Sequence, residues 1–275
     1  MTKPSSILIT GCSSGIGLNA AQTLHNLGYQ VFATARTAAA VSELSKLGLN
    51  ALQLDITSDQ QIDAVFDQIL EQTGGTLDAV FNNAAYGQPG AIEDLSTAVL
   101  KEQFATNVFA WHAITRKALA VMRAQGHGRI IQNSSILGLV SMPFRGAYNA
   151  SKYAIEGLTD TLRLELSGTQ IYVSLIEPGP IESNFRANAL AKFKANIDIQ
   201  NSVFRDHYQQ QLERLGKDIA NQFTLPPDAV TKRLLHALRA KKPKARYYVT
   251  TPTYLFTFLK RVLPTTWLDK LLVKG

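Results

Sequence analysis

The chain has 275 residues, 45% of them hydrophobic and 18% charged, with a formal net charge of +7; that is enough to bury the core of one domain and too apolar for a disordered chain. Its single cysteine, Cys12, excludes an intramolecular disulfide and permits a reducing compartment. No apolar run is long enough to cross a bilayer, and residues 1–6 enter the first strand without a signal peptide's apolar stretch, so a cytoplasmic location is expected.

In chain order, Ile7-Leu8-Ile9 opens a strand over residues 7–10 that runs into Thr10-Gly11-Cys12-Ser13-Ser14-Gly15-Ile16-Gly17, and a helix begins at Leu18. The glycines allow a tight turn, so the backbone N–H groups at the helix start can face a diphosphate. An ordinary Gly-rich turn, with Cys12 as filler, is the plainer reading of this loop taken alone. Gly11-Cys12-Ser13-Ser14-Gly15 also spells the Gly-x-Ser-x-Gly elbow of α/β-hydrolases, with Ser13 as nucleophile. That elbow needs an upstream oxyanion strand and loop; only twelve residues precede Ser13, and no His-Gly-Gly-Gly segment exists.

Further strands are predicted at residues 30–34, 51–54, 77–82, 128–133, 172–176 and 247–249, with helical patterns between most neighbours. Short apolar strands alternating with helices give an α/β fold: a single-domain, doubly wound, parallel seven-stranded Rossmann sheet with helices on both faces. In that arrangement a dinucleotide lies along the carboxyl ends of the strands. At the end of the second strand the chain reads Ala33-Thr34-Ala35-Arg36. An acid there would bind the ribose 2′-OH of NAD, whereas an Arg pairs with the 2′-phosphate of NADP, so Arg36 points to NADP(H). A solvated loop charge is the alternative for Arg36.

A helix is predicted over residues 147–166, its apolar stripe formed by Ala147, Ala150, Ala154, Ile155, Leu158, Leu162 and Leu166. Tyr148 and Lys152, four apart, leave one face of it. A cation beside a phenol favours the phenolate and lowers a pKa that starts near about 10, bringing Tyr148 toward acid/base service. By itself the pair is also what an ordinary helix surface carries.

Thr10 to Gly17, Asn82-Asn83-Ala84, Asn107, Ser135, Tyr148 with Lys152, and Pro178-Gly179 occur in one order, and over residues 7–183 the chain resembles a classical short-chain dehydrogenase/reductase. It is most similar to the branch called 17β-hydroxysteroid dehydrogenase-like, which includes bacterial NADPH-dependent aldehyde reductases. The resemblance implies a catalytic set of Asn107, Ser135, Tyr148 and Lys152, in which Tyr148 protonates the carbonyl oxygen as hydride arrives. Ser135 hydrogen-bonds that oxygen, Lys152 holds the ribose and polarises Tyr148, and Asn107 anchors a water chain resupplying the proton. Ser134 is the rival to Ser135; the family keeps its serine thirteen residues before the tyrosine, which selects Ser135. A buried amide bridging helix and sheet is the plainer role for Asn107.

The same resemblance gives cofactor contacts to Gly11, Ser13, Ser14, Gly15, Ile16 and Gly17, to Arg36, and to Asp55 with Ile56 around the adenine. Asn83 and Ala84 line the ribose, Tyr148 and Lys152 flank it, and Pro178, Gly179, Ile181 and Ser183 hold the carboxamide. Asp55 has a competing role as helix cap for the segment beginning near Ser58. The chain departs from the family in three places: Ser14 stands where many NADP-preferring relatives carry a basic residue, Ala85 where glycine is usual, and Ser183 where threonine is usual. A dimer or tetramer is also implied.

Residues 184–226 carry Phe185, Phe193, Phe204, Tyr208 and Phe223 among polar residues, which suits a mobile helical lid with an apolar underside. Tyr86, Met142, Phe144 and Phe185 are the expected wall of a substrate pocket for hydrophobic aldehydes, ketones or the matching alcohols, including sterols and retinoids. About half of the aromatics are expected to serve core or interface instead. The five histidines show no metal-ligand spacing, so no catalytic metal is expected.

The catalytic domain is placed at residues 1–251 and a basic amphipathic extension at 252–275. Residues 230–275 hold eleven Lys or Arg against one acid, Asp269. Leu255, Phe258, Leu259, Val262, Leu263, Trp267, Leu268, Leu271 and Leu272 form two short amphipathic helices broken at Pro264. Such a segment buries its stripe on its own domain or a subunit neighbour, the usual outcome, or lies on an anionic membrane. The short run Lys241-Lys242-Pro243-Lys244 has no reading module beside it, so nucleic acid is not expected as a partner. The functional expectation is an NADP(H)-dependent carbonyl reductase. The alternatives are a hydroxysteroid or retinol-type dehydrogenase running toward oxidation, and a non-enzymatic NADP-binding regulator.

Overall fold

A computed structural model describes residues 5–215 and 222–273. Residues 1–4 of the expected leaderless start, residues 216–221 of the expected lid, and Lys274 and Gly275 of the basic tail lie outside the described residues.

Ile7, Leu8 and Ile9 are all fully buried but on opposite faces, because successive side chains of a strand alternate: Ile7 and Ile9 join one core layer and Leu8 the other. A strand covered on both sides reads as a continuous apolar run. Seven such strands, β1 (Ser6–Ile9), β2 (Gln30–Ala35), β3 (Asn50–Gln53), β4 (Ala79–Asn82), β5 (His127–Asn133), β6 (Gln170–Glu177) and β7 (Arg246–Tyr248), form one sheet in the order β3-β2-β1-β4-β5-β6-β7. Every pairing is parallel.

The helices are α1 (Gly15–Asn26), α2 (Ala38–Lys46), α3 (Asp59–Thr73), α4 (Thr97–Phe104), α5 (Ala110–Gln125), α6 (Gly146–Glu165), α7 (Phe185–Asn196), α8 (Arg205–Leu215), α9 (Asp228–Arg239), α10 (Thr251–Val262) and α11 (Thr265–Leu272). Leu24 of α1, Leu44 of α2 and Leu234 of α9 cover one face of the sheet; Phe66 of α3, Ile114 of α5 and Ile155 of α6 cover the other. Strand order reverses between β1 and β4, which opens a crevice at the carboxyl ends of those strands.

The elements depart from expectation where side chains intercept the backbone. The fourth strand begins at Ala79, not residue 77: the Gln125 side chain accepts from Leu77 N at 3.0 Å, and the Asp78 carboxylate accepts from Ser6 N at 2.7 Å. Pro264 divides the tail as its missing N–H requires, ending α10 at Val262 and opening α11 at Thr265. The inner faces of both helices pack on the domain, with Leu268 and Leu272 against Val140 and partly buried Phe256, Leu259 and Leu263 beside them. No helix among the described residues is long and apolar enough to cross a membrane.

Candidate active site

At the β1–α1 junction Gly11 has φ +72° and touches the β4 loop so closely that a Cβ would lie 2.8 Å from Ala84 Cα. A Cβ on Gly17 would lie 2.2 Å from the Gly11 carbonyl oxygen. Both positions therefore need glycine. The Thr10 hydroxyl accepts from Asn83 N and Ala84 N, each at 2.9 Å. The Asn83 amide donates to the carbonyls of Thr10 at 2.9 Å and Gly11 at 3.2 Å, and its oxygen accepts from Asn133 Nδ2 at 2.8 Å. Asn83 thus ties the ends of β1, β4 and β5 together.

The start of α1 fits an anion. Its N-cap residue, Ser14, makes no side-chain cap bond, and the first turn holds no acid, so the leading N–H groups have no internal anionic partner. Ser13, Gly15 and Ile16 complete this turn, and Ser183 closes over it, near enough that a Cβ on Gly15 would lie 2.9 Å from Ser183 Cβ. Pro178, Gly179 and Ile181 lie in the same loop after β6. The Pro178 carbonyl accepts from Ile136 N at 2.9 Å, Ile181 bridges to Leu225, and Gly179 packs on Thr250.

Arg36 is exposed directly after β2. Burial pushes Asp55 up, but the Thr57 hydroxyl and amide together with the Arg36 charge hold its carboxyl below the usual range. The helix cap is Ser58, which accepts from Gln61 N; Asp55 instead accepts from Thr57 N at 2.9 Å, while Ile56 is buried beside it. The groups a nucleotide needs, an uncapped helix start and a cation at the end of β2, thus stand along one rim of the sheet.

Tyr148 and Lys152 leave α6 toward the ends of β4 and β5. Lys152 is buried: its ammonium donates to the Asn133 carbonyl at 2.8 Å and lies 4.2 Å from the Trp111 ring centre and 5.6 Å from that of Tyr148. Burial pulls its pKa down to about 7, with Glu156 opposing. Trp111 in turn donates from its indole to the Ala84 carbonyl at 2.8 Å.

Burial pushes Tyr148 up to about 12; a hydrogen bond from Ser135 and the Arg145 charge only moderate it. The expected lowering by Lys152 is therefore not seen. The ammonium points to a carbonyl and an aromatic face instead, and loss of hydration outweighs the charges that remain.

Ser135 also accepts from Leu137 N at 3.1 Å. Ser134 is buried and hydrogen-bonds Glu156, whereas Ser135 meets the phenol, so the two serines have separate partners. Glu156 is bonded as well to Arg246, which reaches Asp160 at 2.5 Å and Glu177 at 2.5 Å.

Asn107 lies in a π-helical turn (Ala105–Phe109) between α4 and α5. Fully buried, it donates to the Tyr86 carbonyl at 2.9 Å and to Ser151 Oγ at 3.1 Å, and accepts from Tyr86 N at 3.2 Å. These bonds make it a bridge from the helix to the loop after β4. Such single π turns are often found at functional sites.

The expected pocket wall divides. Phe185 packs edge-on against Tyr148, ring centres 5.3 Å apart, and over Gly87. Tyr86 lies under the Lys192 ammonium, 5.1 Å from its ring centre, and burial pushes its hydroxyl up to about 12. Met142 accepts from Asn149 Nδ2 through its carbonyl at 3.1 Å.

Phe144 belongs elsewhere: at φ +59° its ring turns toward α8, stacked 4.1 Å from His207 and edge-on to Phe204 and Tyr208. Phe144, Phe204 and Tyr208 form a separate apolar cluster with Ala91, Phe193 and Ile197, and Tyr208 ties it to the loop after β4 by donating to Asp94 at 2.5 Å. The ring is drawn off the pocket because burying aromatic area there offsets a left-handed backbone.

Sequence reading missed Asn133, Trp111 and Glu156. The i, i+4 spacing of Asn107 with Trp111 and of Lys152 with Glu156 was the available signal for the last two. A cleft of about 500 Å³ opens near the opposite ends of the strands, lined by Ser6, Tyr29, Asp78, Arg129 and Tyr172, and holds none of the site residues. Among the described residues no cluster of three or more His, Cys, Asp or Glu could hold a metal ion.

Comparison with known proteins bears on this geometry. Residues 5–193 match the family model described as short chain dehydrogenase. The uncharacterized oxidoreductase YbbO of Escherichia coli is 40% identical over 97% of this chain and 93% of the relative. Retinol dehydrogenase 8 of Homo sapiens is 32% identical over 94% and 86%. A short-chain dehydrogenase crystal structure from Streptomyces avermitilis superposes with a TM-score of 0.77 at 26% identity, covering 98% of this chain and 94% of that one.

Proposed function

Since the chain belongs to the short-chain dehydrogenase family, an oxidoreductase group that works with nicotinamide cofactors, we propose that it reduces the carbonyl of a hydrophobic aldehyde or ketone with NADPH. The supporting observation is the Tyr148 phenol: hydrogen-bonded to Ser135 and pushed up to about 12, it keeps its proton at neutral pH and is ready to give it. NADPH, when bound, supplies hydride to the carbonyl carbon. Gly11 to Gly17, Asp55, Ile56, Asn83, Ala84 and the loop of Pro178, Gly179, Ile181 and Ser183 would hold it, with Arg36 on a 2′-phosphate.

Negative charge then grows on the carbonyl oxygen, and a donor placed in advance stabilises it most where water is excluded. Tyr148 transfers its proton to that oxygen. Ser135 fixes the phenol in the free site and, once substrate is bound, turns its one hydroxyl proton to the same oxygen, while Lys152 supplies a buried positive charge behind it and Asn107 keeps the Tyr86 loop against α6. Phe185 excludes water over Tyr148 and selects an apolar substrate body. The reading includes a cytoplasmic setting, which the lone buried Cys12 permits.

The test is NADPH and NADH oxidation with a panel of aliphatic and aromatic aldehydes, ketones and ketosteroids. Arg36→Ala is expected to raise KM for NADPH about 10- to 100-fold, the worth of one or two charge-assisted hydrogen bonds, and leave NADH unchanged. A wild type that prefers NADH overturns the cofactor assignment. Likeness to retinol dehydrogenase 8 supports a second reading, oxidation of a retinol-type or hydroxysteroid alcohol with NADP; running the panel from the alcohol side separates the two. No turnover in either direction would leave a cofactor-binding regulator.

Lys152 sets the pH dependence. Its folded pKa of about 7 lies below the ordinary lysine value, so its charge is present below pH 7 and lost as pH rises through it. kcat/KM for NADPH, which reports groups of the free enzyme, is expected to fall with a slope approaching −1 above about pH 7. A profile flat to pH 9 removes the role given to that cation.

A further inference from the structure

We propose that the outer face of α10 and α11 is a docking surface for an anionic lipid membrane. Among the described residues seventeen large hydrophobic side chains are exposed, and seven of them fall within residues 254–273: Tyr254, Leu255, Phe258, Val262, Trp267, Leu271 and Val273. Phe258 is 60% exposed, Trp267 63% and Val273 71%. The stripe is not left over from poor packing, because the opposite face of the same helices, Phe256 and Leu259 of α10 with Leu268 and Leu272 of α11, packs in one cluster with Val140 and Ile136. Each helix is thus apolar on two sides, one turned to the protein and one to solvent, and contiguous exposed apolar surface of this kind marks an interaction site.

Charge and residue type favour a bilayer as the occupant. Tyr254, Leu255, Phe258 and Val262 follow i, i+1, i+4, i+8 spacing, the stripe of a helix lying in an interface. Arg261 and Lys270 are exposed among them, and Asp269 is the one acid of both helices. Lys260 is committed to the protein, donating to the Leu139 carbonyl and to Tyr153 Oη. Trp267 and Tyr254 are the amphipathic rings that sit at headgroup depth. A second copy of this chain fits less well, since a two-fold contact sets the same cationic patch against itself, with Asp269 alone to offset it.

Docking here has a consequence for the site. Ile136 follows Ser135 directly and is packed in the cluster that anchors these helices, and Gly179 abuts Thr250 at the start of α10. The membrane would lie one helix layer from the catalytic turn, so amphiphiles dissolved in lipid become the natural carbonyl substrates. That last clause rests on the proposed reductase activity; the docking surface does not.

The experiment is sedimentation of the purified full-length protein with vesicles of phosphatidylcholine alone and of phosphatidylcholine with phosphatidylglycerol, at low and high salt. Wild type is expected in the pellet with anionic vesicles and released by salt. Arg261→Gln with Lys270→Gln should weaken partitioning about 25-fold, near fivefold per cation. Phe258→Ser with Trp267→Ser should weaken it at least about tenfold, with melting temperature and turnover of a water-soluble aldehyde unchanged because both side chains are exposed.

Wild type that stays in the supernatant, or variants that pellet equally, overturn the proposal. So does a dimer in light scattering that the Phe258/Trp267 variant abolishes while vesicles bind nothing, for then the face closes on a second copy. Because sedimentation needs no turnover, failure of the catalytic reading is told apart from failure of the docking surface.

Discussion

Tyr148→Phe is expected to cut kcat for carbonyl reduction about a thousandfold, the combined scale of losing a general acid and a donor to a developing oxyanion. KM should stay within about twofold, since the ring that packs 5.3 Å from Phe185 is kept and only the transition state loses an interaction. The fold should lose about 1 kcal/mol, the worth of the hydroxyl's bond with Ser135.

Two serine variants sharpen this result. Ser135→Ala should slow the chemistry by less than Tyr148→Phe does, because Ser135 supports the donor without being the proton source. Ser134→Ala should leave kcat nearly unchanged, because that hydroxyl is given to Glu156. A Tyr148→Phe enzyme within tenfold of wild type would remove the proposed proton donor. A large effect at Ser134 would reverse the roles of the two serines.

Arg246→Met is expected to destabilise the protein by about 3–5 kcal/mol near pH 8, the cost of leaving buried charge without its partner. For a chain this long that is a fall in Tm of about 6–20 °C. Arg246 holds Glu156, Asp160 and Glu177 together, and Glu177 is fully buried. Burial and the neighbouring Glu156 already push Glu177 up to about 8 with the arginine present.

An acid whose folded pKa is raised costs nothing below its unfolded value of about 4.5; the cost grows as pH rises between the two values and is complete above the folded one, which loss of Arg246 raises further. The deficit of the variant should therefore shrink between pH 8 and pH 5, as Glu177 and Glu156 take up protons. Denaturant unfolding at both pH values measures it. Adding Glu156→Gln to Arg246→Met should restore part of the loss, since it removes one of the stranded charges. A deficit equal at both pH values would mean that the arginine acts through packing alone.

The seven strands and the break at Pro264 were legible because each depends on short-range pattern: apolar runs of strand length between turn residues, and an imino acid that cannot continue a helix. Gly11, Gly15 and Gly17 were legible for a related reason, since tight backbone approach leaves a mark in residue type. Tyr148 and Lys152 could be placed on one helix face from spacing alone. What that spacing could not give was the electrostatic outcome. A cation four residues from a phenol predicts a lowered pKa, whereas the folded protein turns the ammonium toward the Asn133 carbonyl and the Trp111 ring and leaves burial in control of Tyr148.

Phe144 shows the same limit in packing. As an aromatic four residues before Tyr148 it reads as pocket wall, yet a left-handed backbone sends its ring to His207 and Tyr208. Glu156 reads as a polar helix residue until β7 brings Arg246 to it across 90 positions.

By itself, then, the sequence determined the sheet, the Gly-rich turn after β1 and the placing of Tyr148 and Lys152 on one helix face, all of which follow from local periodicity and the conformational limits of single residue types. Only the tertiary structure decided which serine meets the phenol, where Lys152 points, and which aromatic packs on Tyr148. Those outcomes depend on hydration lost and partners gained between residues far apart in the chain, and no local pattern records them.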